Sequence, residues 1–213
     1  MRDFDRLGRP LPDFDPLLGA SLHLAGSQAL EVKGIAFEGR AEFVRSRFGQ
    51  AVLDELAVEL SDATRKLVLD PPLASSWVPF TSMMELDVAI LLELYAGDAS
   101  AHAEVAAAVA HADLSSLYKF MIRQAIDANQ VLDRLVFAFS TRVRPGKMTI
   151  DRVGERECKA TLHDCVLPFY FCEHGIPAWA DVGLTLAGAA ATRVEQTECR
   201  HFGASRCAYR VRW

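Results

Sequence analysis

The stretch Gln196-Thr197-Glu198-Cys199-Arg200-His201-Phe202-Gly203-Ala204-Ser205-Arg206-Cys207-Ala208-Tyr209-Arg210-Val211 decides the fold. Beyond the Phe202–Ser205 turn, Cys207, Tyr209, Val211 and Trp213 fall on one face and Arg206, Arg210 and Arg212 on the other. That period of two is the signature of a half-buried strand. The spacing predicts two antiparallel strands, about 192–200 and 205–213, with Cys199 and Cys207 drawn together across the turn. Working backwards, Lys147 to Val153 and Arg156 to His163 alternate around Gly154-Glu155, with Cys158, Ala160 and Leu162 on one face. This is a second hairpin. Each hairpin follows a helix. Leu132, Leu135, Val136 and Phe139 recur at helical spacing over 129–143, and Pro145-Gly146 stops that helix. Val166 to Cys172 leads through Pro177 into a helix rich in small residues, among them Ala178, Ala180, Gly183, Ala187, Gly188 and Ala189.

The first half reads as helical. Residues 1–28, dotted with Pro10, Pro12, Pro16 and several glycines, read as an extended arm. Leu30 to Gly34 suggests a short strand. Helices follow over Phe37–Phe48, over 50–60, and from Ser61 to about Leu69, where Pro71-Pro72 breaks the chain. Ser75 to Phe80 reads as a loop. Thr81 caps a nearly all-apolar helix from Met83 to Tyr95, the pattern of a central buried helix. The alanine-rich 99–112 region, with His102 and His111, and Ser115 to Ile126 continue helically. The expected fold class is therefore α+β. It has one domain over 29–213, with a helical part at 29–128 and a helix–hairpin–helix–hairpin part at 129–213 carrying an antiparallel sheet.

A hydrophobic content of 51% supports a sizeable core, and a net charge of −5 gives no electrostatic footprint for nucleic acid. No apolar run is long enough for a transmembrane helix. The early acids Asp3 and Asp5 argue against a signal peptide, so a cytoplasmic location is expected. All five cysteines lie in the last 56 residues, an odd number that argues for reduced thiols.

Three of these thiols have metal-site spacing. Cys199 and Cys207 bracket the turn, Cys172 begins the preceding helix, and His201, Glu195, Glu198 or His174 is available as a fourth donor for tetrahedral zinc. The alternative is that all five cysteines are small buried hydrophobes. Cys158 and Cys165 read as core residues on either view.

The terminal string resembles the end of 4-vinyl-reductase-type domains, roughly Glu-x-x-Cys-x₇-Cys followed by an alternating strand. Those domains share a fold group with TRAPP transport-particle subunits, the sensory domains of aromatic-responsive activators, and haem-nitric-oxide-binding domains. The motif covers about 45 residues, and the topology extends over roughly 180. Lys33-Gly34 and Phe43-Val44-Arg45-x-Arg47-Phe48-Gly49 also resemble an uncharacterised paralogous family abundant in myxobacteria. The resemblance to the aromatic sensors implies a zinc held by Cys172, Cys199, Cys207 and an acidic residue. Position 196, where that acid stands, is Gln here, which leaves Glu195 as the substitute.

The resemblance implies a sensor that binds an apolar small molecule or lipid between helices and sheet, with Phe139, Phe169, Tyr170 and Trp179 as lining residues. Such a domain would act through a protein partner. The alternative is a homodimeric scaffold without ligand, and a reductase ranks below both. No Walker loop, dinucleotide-binding glycine pattern, nucleophile elbow or His-Glu-x-x-His occurs, so no enzyme is expected. No Tyr-x-Ser-x-Arg begins at Tyr95, Tyr118, Tyr170 or Tyr209, so no haem is expected. His102 and His111 read as surface or capping groups, and Asp181 as a solvated or capping acid.

Overall fold

A computed structural model describes residues 29–115, 128–186, 188–189 and 191–213. The expected arm over 1–28 and helix over Ser115–Ile126 lie outside the described residues, apart from Ser115 itself. Among the described residues there are seven α-helices and two sheets. Strand β1 (Glu31–Lys33) runs without a break into helix α1 (Gly34–Phe48). It is followed by α2 (Gln50–Glu59), α3 (Asp62–Leu69), β2 (Trp77–Pro79), α4 (Phe80–Tyr95) and α5 (His102–Ser115). The second half holds α6 (Ala128–Arg142), β3 (Val143–Arg144), β4 (Lys147–Gly154) and β5 (Glu157–His163). It continues with a π-helical turn (Phe171–Gly175), α7 (Ile176–Leu186), β6 (Arg193–Glu198) and β7 (Cys207–Arg212). No helix among the described residues is long and apolar enough to cross a membrane.

The two hairpins merge into one antiparallel sheet of order β4-β5-β7-β6. Cys158 faces Val211, Ala160 faces Tyr209 and Leu162 faces Cys207 across β5 and β7. The alternating apolar sets of both hairpins thus share one buried face, which the register preserves. Tyr209, Cys158, Leu162 and Val211 are all buried there. Helices α6 and α7 cover this face. Gly183 of α7 makes their contact close: a Cβ there would lie 2.7 Å from Leu135 Cδ2.

A smaller sheet was not foreseen. The stretch expected as a loop contributes β2, and β1 pairs antiparallel with both β2 and β3. Side chains explain why it is stable. The Trp77 ring has Lys33 Nζ 3.8 Å from its centroid and Arg144 Cζ 4.1 Å from it, cation–π contacts that secure a three-residue strand. Arg144 also bonds Glu31 at 2.6 Å. At the other end of the helical half, Ser61 caps α3 as expected by accepting the Thr64 N–H. Glu85 of α4 clasps the same cap by accepting from the Ser61 N–H and hydroxyl, the latter at 2.8 Å.

Candidate functional site

Where helices α1, α4, α5 and α6 meet β1, β3, β4 and α7, the packing leaves a narrow apolar cavity. The space within it that a water-sized sphere can occupy is about 80 Å³. Met83, Val109, Phe139, Met148, Ile176 and Trp179 are among its apolar wall residues, and Arg40 and Arg142 are its charged members. A second apolar space, about 30 Å³ on the same measure, continues between α6 and the sheet. It shares Met148, Ile176 and Trp179 with the first. A concave apolar lining with a few charged groups is the usual character of a small-molecule site.

One wall of the first cavity is backed by a buried charge network. Arg40 Nε donates to Asp87 Oδ1 at 2.5 Å, and its Nη1 donates to the Ala36 carbonyl at 2.7 Å. His102 Nε2 lies 3.2 Å from Asp87 Oδ2. All three side chains are fully or almost fully buried. Burial alone would push the Asp87 carboxyl up, but Arg40 and His102 beside it hold it below its ordinary value. Burial pushes the His102 pKa down, against the pull of Asp87. The consistent state is an Arg40–Asp87 ion pair with a neutral imidazole donating through Nε2, which leaves Nδ1 without a hydrogen-bond partner. The ring is boxed in by Tyr170, at 4.7 Å between centroids, and Phe171, at 5.3 Å. Gly175 permits this: a Cβ there would lie 2.7 Å from His102 Cε1 and Nδ1. Tyr170 is fully buried, and burial with the Asp87 charge pushes its phenol up.

Of the residues expected to line a ligand space, Phe139 and Trp179 are in the cavity wall. Tyr170 lies behind it, against His102. Phe169 is elsewhere, packed edge-on to His174, His201 and Phe202.

The three turn-associated thiols converge, as the hairpin reading required. Cys172 Sγ lies 4.0 Å from Cys207 Sγ, the Arg200 N–H donates to Cys207 at 3.5 Å, and Cys199 interacts with Cys207 beside them. The Cys172 bond pulls the Cys207 thiol down to about 6 and holds the Cys172 proton on. Glu195 is not among them. It pairs with Arg193 at 2.5 Å and lies opposite Arg210, on the face of the sheet away from Cys207. Cys158 and Cys165 are core residues, and burial pushes their thiols up to about 11 and about 12.

A model of the family described as "Protein of unknown function (DUF2378)" matches residues 40–213. The chain belongs to that family. No curated protein matches it. Among solved structures it is similar to H-NOX proteins. One is the Fe(II) unliganded H-NOX of K. algicida, at 10% identity and TM-score 0.63, with 84% of this chain and 95% of that one covered. The IWP-051-bound H-NOX of Shewanella woodyi in the Fe(II)CO state has 14% identity and TM-score 0.62, with 84% and 93% covered. The H-NOX of S. oneidensis in the Fe(II)NO state has 13% identity and TM-score 0.58, with 84% and 97% covered. The family member thus has the fold of the haem-nitric-oxide-binding group.

These findings correct both cofactor expectations. Zinc at Cys172, Cys199, Cys207 and Glu195 does not stand: among the described residues no group of three or more His, Cys, Asp or Glu side chains is placed to hold a metal ion. The reason is the strand alternation that sends Glu195 to the solvent face. The expectation of no haem is overturned by the neighbours, which are haem-binding domains described with Fe(II). Absence of a Tyr-x-Ser-x-Arg string was too narrow a criterion.

A haem needs apolar faces, cations for its carboxylates and an axial nitrogen. The residues fit in kind, but the space as packed, about 80 Å³, is smaller than a porphyrin. Met83, Val109, Phe139 and Trp179 are apolar walls, Arg40 and Arg142 are cations, and the orphaned Nδ1 edge of buried His102 is turned toward the cavity wall at Gly175. Phe171 and Gly175 stand between His102 and the cavity.

Sequence reasoning passed over Arg40, Asp87 and Arg142, and its reading of His102 as a surface or capping group is wrong, because that ring is fully buried against Asp87. One signal was present: Asp87 is a carboxylate set between Leu86 and Val88-Ala89-Ile90 on a helix apolar on most sides, and an acid there needs a buried partner.

Proposed function

We propose that this chain is a non-enzymatic sensor domain working in the cytoplasm. It holds a small apolar molecule in the cavity between its helical half and the sheet, and passes its occupancy to a protein partner or a second copy. The observation that carries this reading is the apolar cavity itself, walled by helices and backed by the buried Arg40–Asp87–His102 network. Polar groups locked to one another position a wall; they do not turn over a substrate. The H-NOX-like fold supports the reading, as does the likeness of the terminal cysteine motif to 4-vinyl-reductase-type sensor domains. Five free, buried cysteines suit a reducing compartment. If the molecule is a haem, Arg142 is the wall cation nearest in kind for a carboxylate, and His102 would supply nitrogen only once Phe171 and Gly175 move aside. Its iron would then offer the diatomic gases named for the neighbours a place to bind.

The test is native mass spectrometry of gently purified chain, with Ala106→Trp as the control that fills the cavity from α5. Wild type should carry a non-protein mass that the variant lacks. Haemin titration followed by absorbance should show whether that mass is a haem, with His102→Ala removing the band. A chain that carries nothing, and gains no thermal stability from haemin or from apolar carboxylates, would end the sensor reading.

A further inference from the structure

The thiol cluster beneath the last hairpin holds a chemistry that packing alone does not use. Its members come from three separate places: Cys172 from the π-helical turn, Cys199 from just after β6, and Cys207 from the first position of β7. The Cys172 thiol donates to the Cys207 sulfur at 4.0 Å, and the Arg200 N–H donates to the same sulfur at 3.5 Å. Cys199 is a further donor to it. Donors converging on one sulfur favour its thiolate, the nucleophilic form of cysteine. The Cys207 pKa of about 6 agrees, while Cys172 keeps its proton. A thiolate in contact with a protonated thiol is a nucleophile beside its resolving partner.

The cluster also has a way out to solvent. Strand β6 is an edge of the sheet, and a groove runs along it with about 480 Å³ of space for a water-sized sphere. Glu173, Gln196, Cys199 and Phe202 are among its wall residues. Cys199 lines this groove and interacts with Cys207, so the cluster reaches the groove through one residue.

We propose that Cys207 and Cys172 form a reversible oxidation site, a dithiol that a small hydroperoxide reaches through the β6 groove and converts to a disulfide. The Cys207 thiolate attacks one oxygen of hydrogen peroxide. The O–O bond breaks, hydroxide leaves and takes a proton from solvent, and Cys207 is left as a sulfenic acid. The Cys172 sulfur then attacks that sulfur. The S–O bond breaks, and the hydroxyl departs as water with the Cys172 proton. Two electrons pass from the sulfurs to the peroxide, whose two oxygens leave as two waters. The sulfurs must close from 4.0 Å to about 2.05 Å for the new bond. A dithiol reductant reverses the reaction by exchange. Disulfides that come and go in this way are the kind a reducing compartment allows. The turn that carries Cys172 also carries Phe171 and Gly175 of the cavity wall, so the oxidation site and the cavity are one helical turn apart.

The test treats the reduced full chain with hydrogen peroxide at neutral pH, alkylates it under denaturing conditions and maps it by mass spectrometry. Two of the five free thiols should be lost. A species joining the Cys172 and Cys207 peptides should appear, and dithiothreitol should restore all the thiols. Cys172→Ser should stop the reaction at the sulfenic acid, captured by dimedone on Cys207. Cys207→Ser should abolish the loss, and Cys158→Ala should leave it unchanged. Thiols that all survive peroxide, or a loss spread evenly over them, overturn the proposal. So does a map that joins Cys199, not Cys172, to Cys207, or dimedone found on another cysteine of Cys172→Ser. The wild-type map decides the matter even where a serine variant does not fold.

Discussion

The Arg40–Asp87–His102 network and the Cys172–Cys199–Cys207 cluster are both polar groups taken out of water, yet they are built from opposite materials. The first holds full charges. Each of its members needs the others, because an unpaired buried ion is far more costly than an unpaired buried dipole. The second holds thiols, which pack like small hydrophobes and donate weakly. Cys207 also keeps the Arg200 N–H when another donor is lost. The network is therefore a rigid, all-or-none wall of the cavity, and the cluster a tolerant seam beneath the last hairpin.

The contrast can be broken most directly at Asp87. Asp87→Asn strands the Arg40 guanidinium beside a neutral amide, and chemical denaturation should record a loss of about 3–5 kcal/mol. A loss below about 1 kcal/mol would mean the ion pair is not the wall's mainstay. Gly175→Ala comes next. Its methyl would press on His102 Cε1 and Nδ1 at 2.7 Å, and overpacking of this kind costs about 1–3 kcal/mol. His102→Ala in the same chain should relieve much of it, a coupling measurable by a double-mutant cycle.

The charged region should also be the acid-labile one. The folded-state pKa of His102 lies below its ordinary 6.5, so the folded chain refuses a proton that the unfolded chain accepts. Its contribution is complete above pH 6.5 and is lost as pH falls from there, by up to about 1.4 kcal/mol per pH unit for the one proton. Asp87, also lowered, adds a loss of the same sign below its ordinary 3.8. Denaturation midpoints followed from pH 8 to pH 4 should show this slope in wild type and a flatter one in His102→Gln. The smallest effect is expected in the seam. Cys172→Ala should cost near 1 kcal/mol, the worth of a weak neutral bond, and should raise the Cys207 thiol from about 6, seen as delayed thiolate absorbance on titration. A cost matching that of Asp87→Asn would erase the distinction.

How far each region could be read from the sequence follows from the same difference. The alternation of Cys207, Tyr209 and Val211 against Arg210 and Arg212 is local, so the hairpins, the shared sheet face and the meeting of Cys172, Cys199 and Cys207 were all legible. The face taken by Glu195 followed from that alternation too, and the ligand set carried over from a family overrode it. Arg40, Asp87 and His102 come from three helices. Nothing local links them, and His102, beside Ala99-Ser100-Ala101, looks like an ordinary helix start. Asp181, also a lone acid in an apolar helix, reads as a solvated or capping group, and it accepts from Thr192. Asp87 stands in the same kind of helix and was the one with the network. Strand β2 was illegible for another reason. Three residues carry no period, and the cations that hold Trp77 lie far away at Lys33 and Arg144.

That small sheet has a mechanical consequence. Val143 follows Arg142 directly and pairs with Val32, and Lys33 runs into Gly34 of α1 with no intervening linker. The end of α6 and the start of α1 are thus yoked through backbone bonds. The cavity wall at Arg142 is thus one residue from a strand pairing that ends at the first turn of α1, which makes the small sheet a clasp between the two halves of the chain.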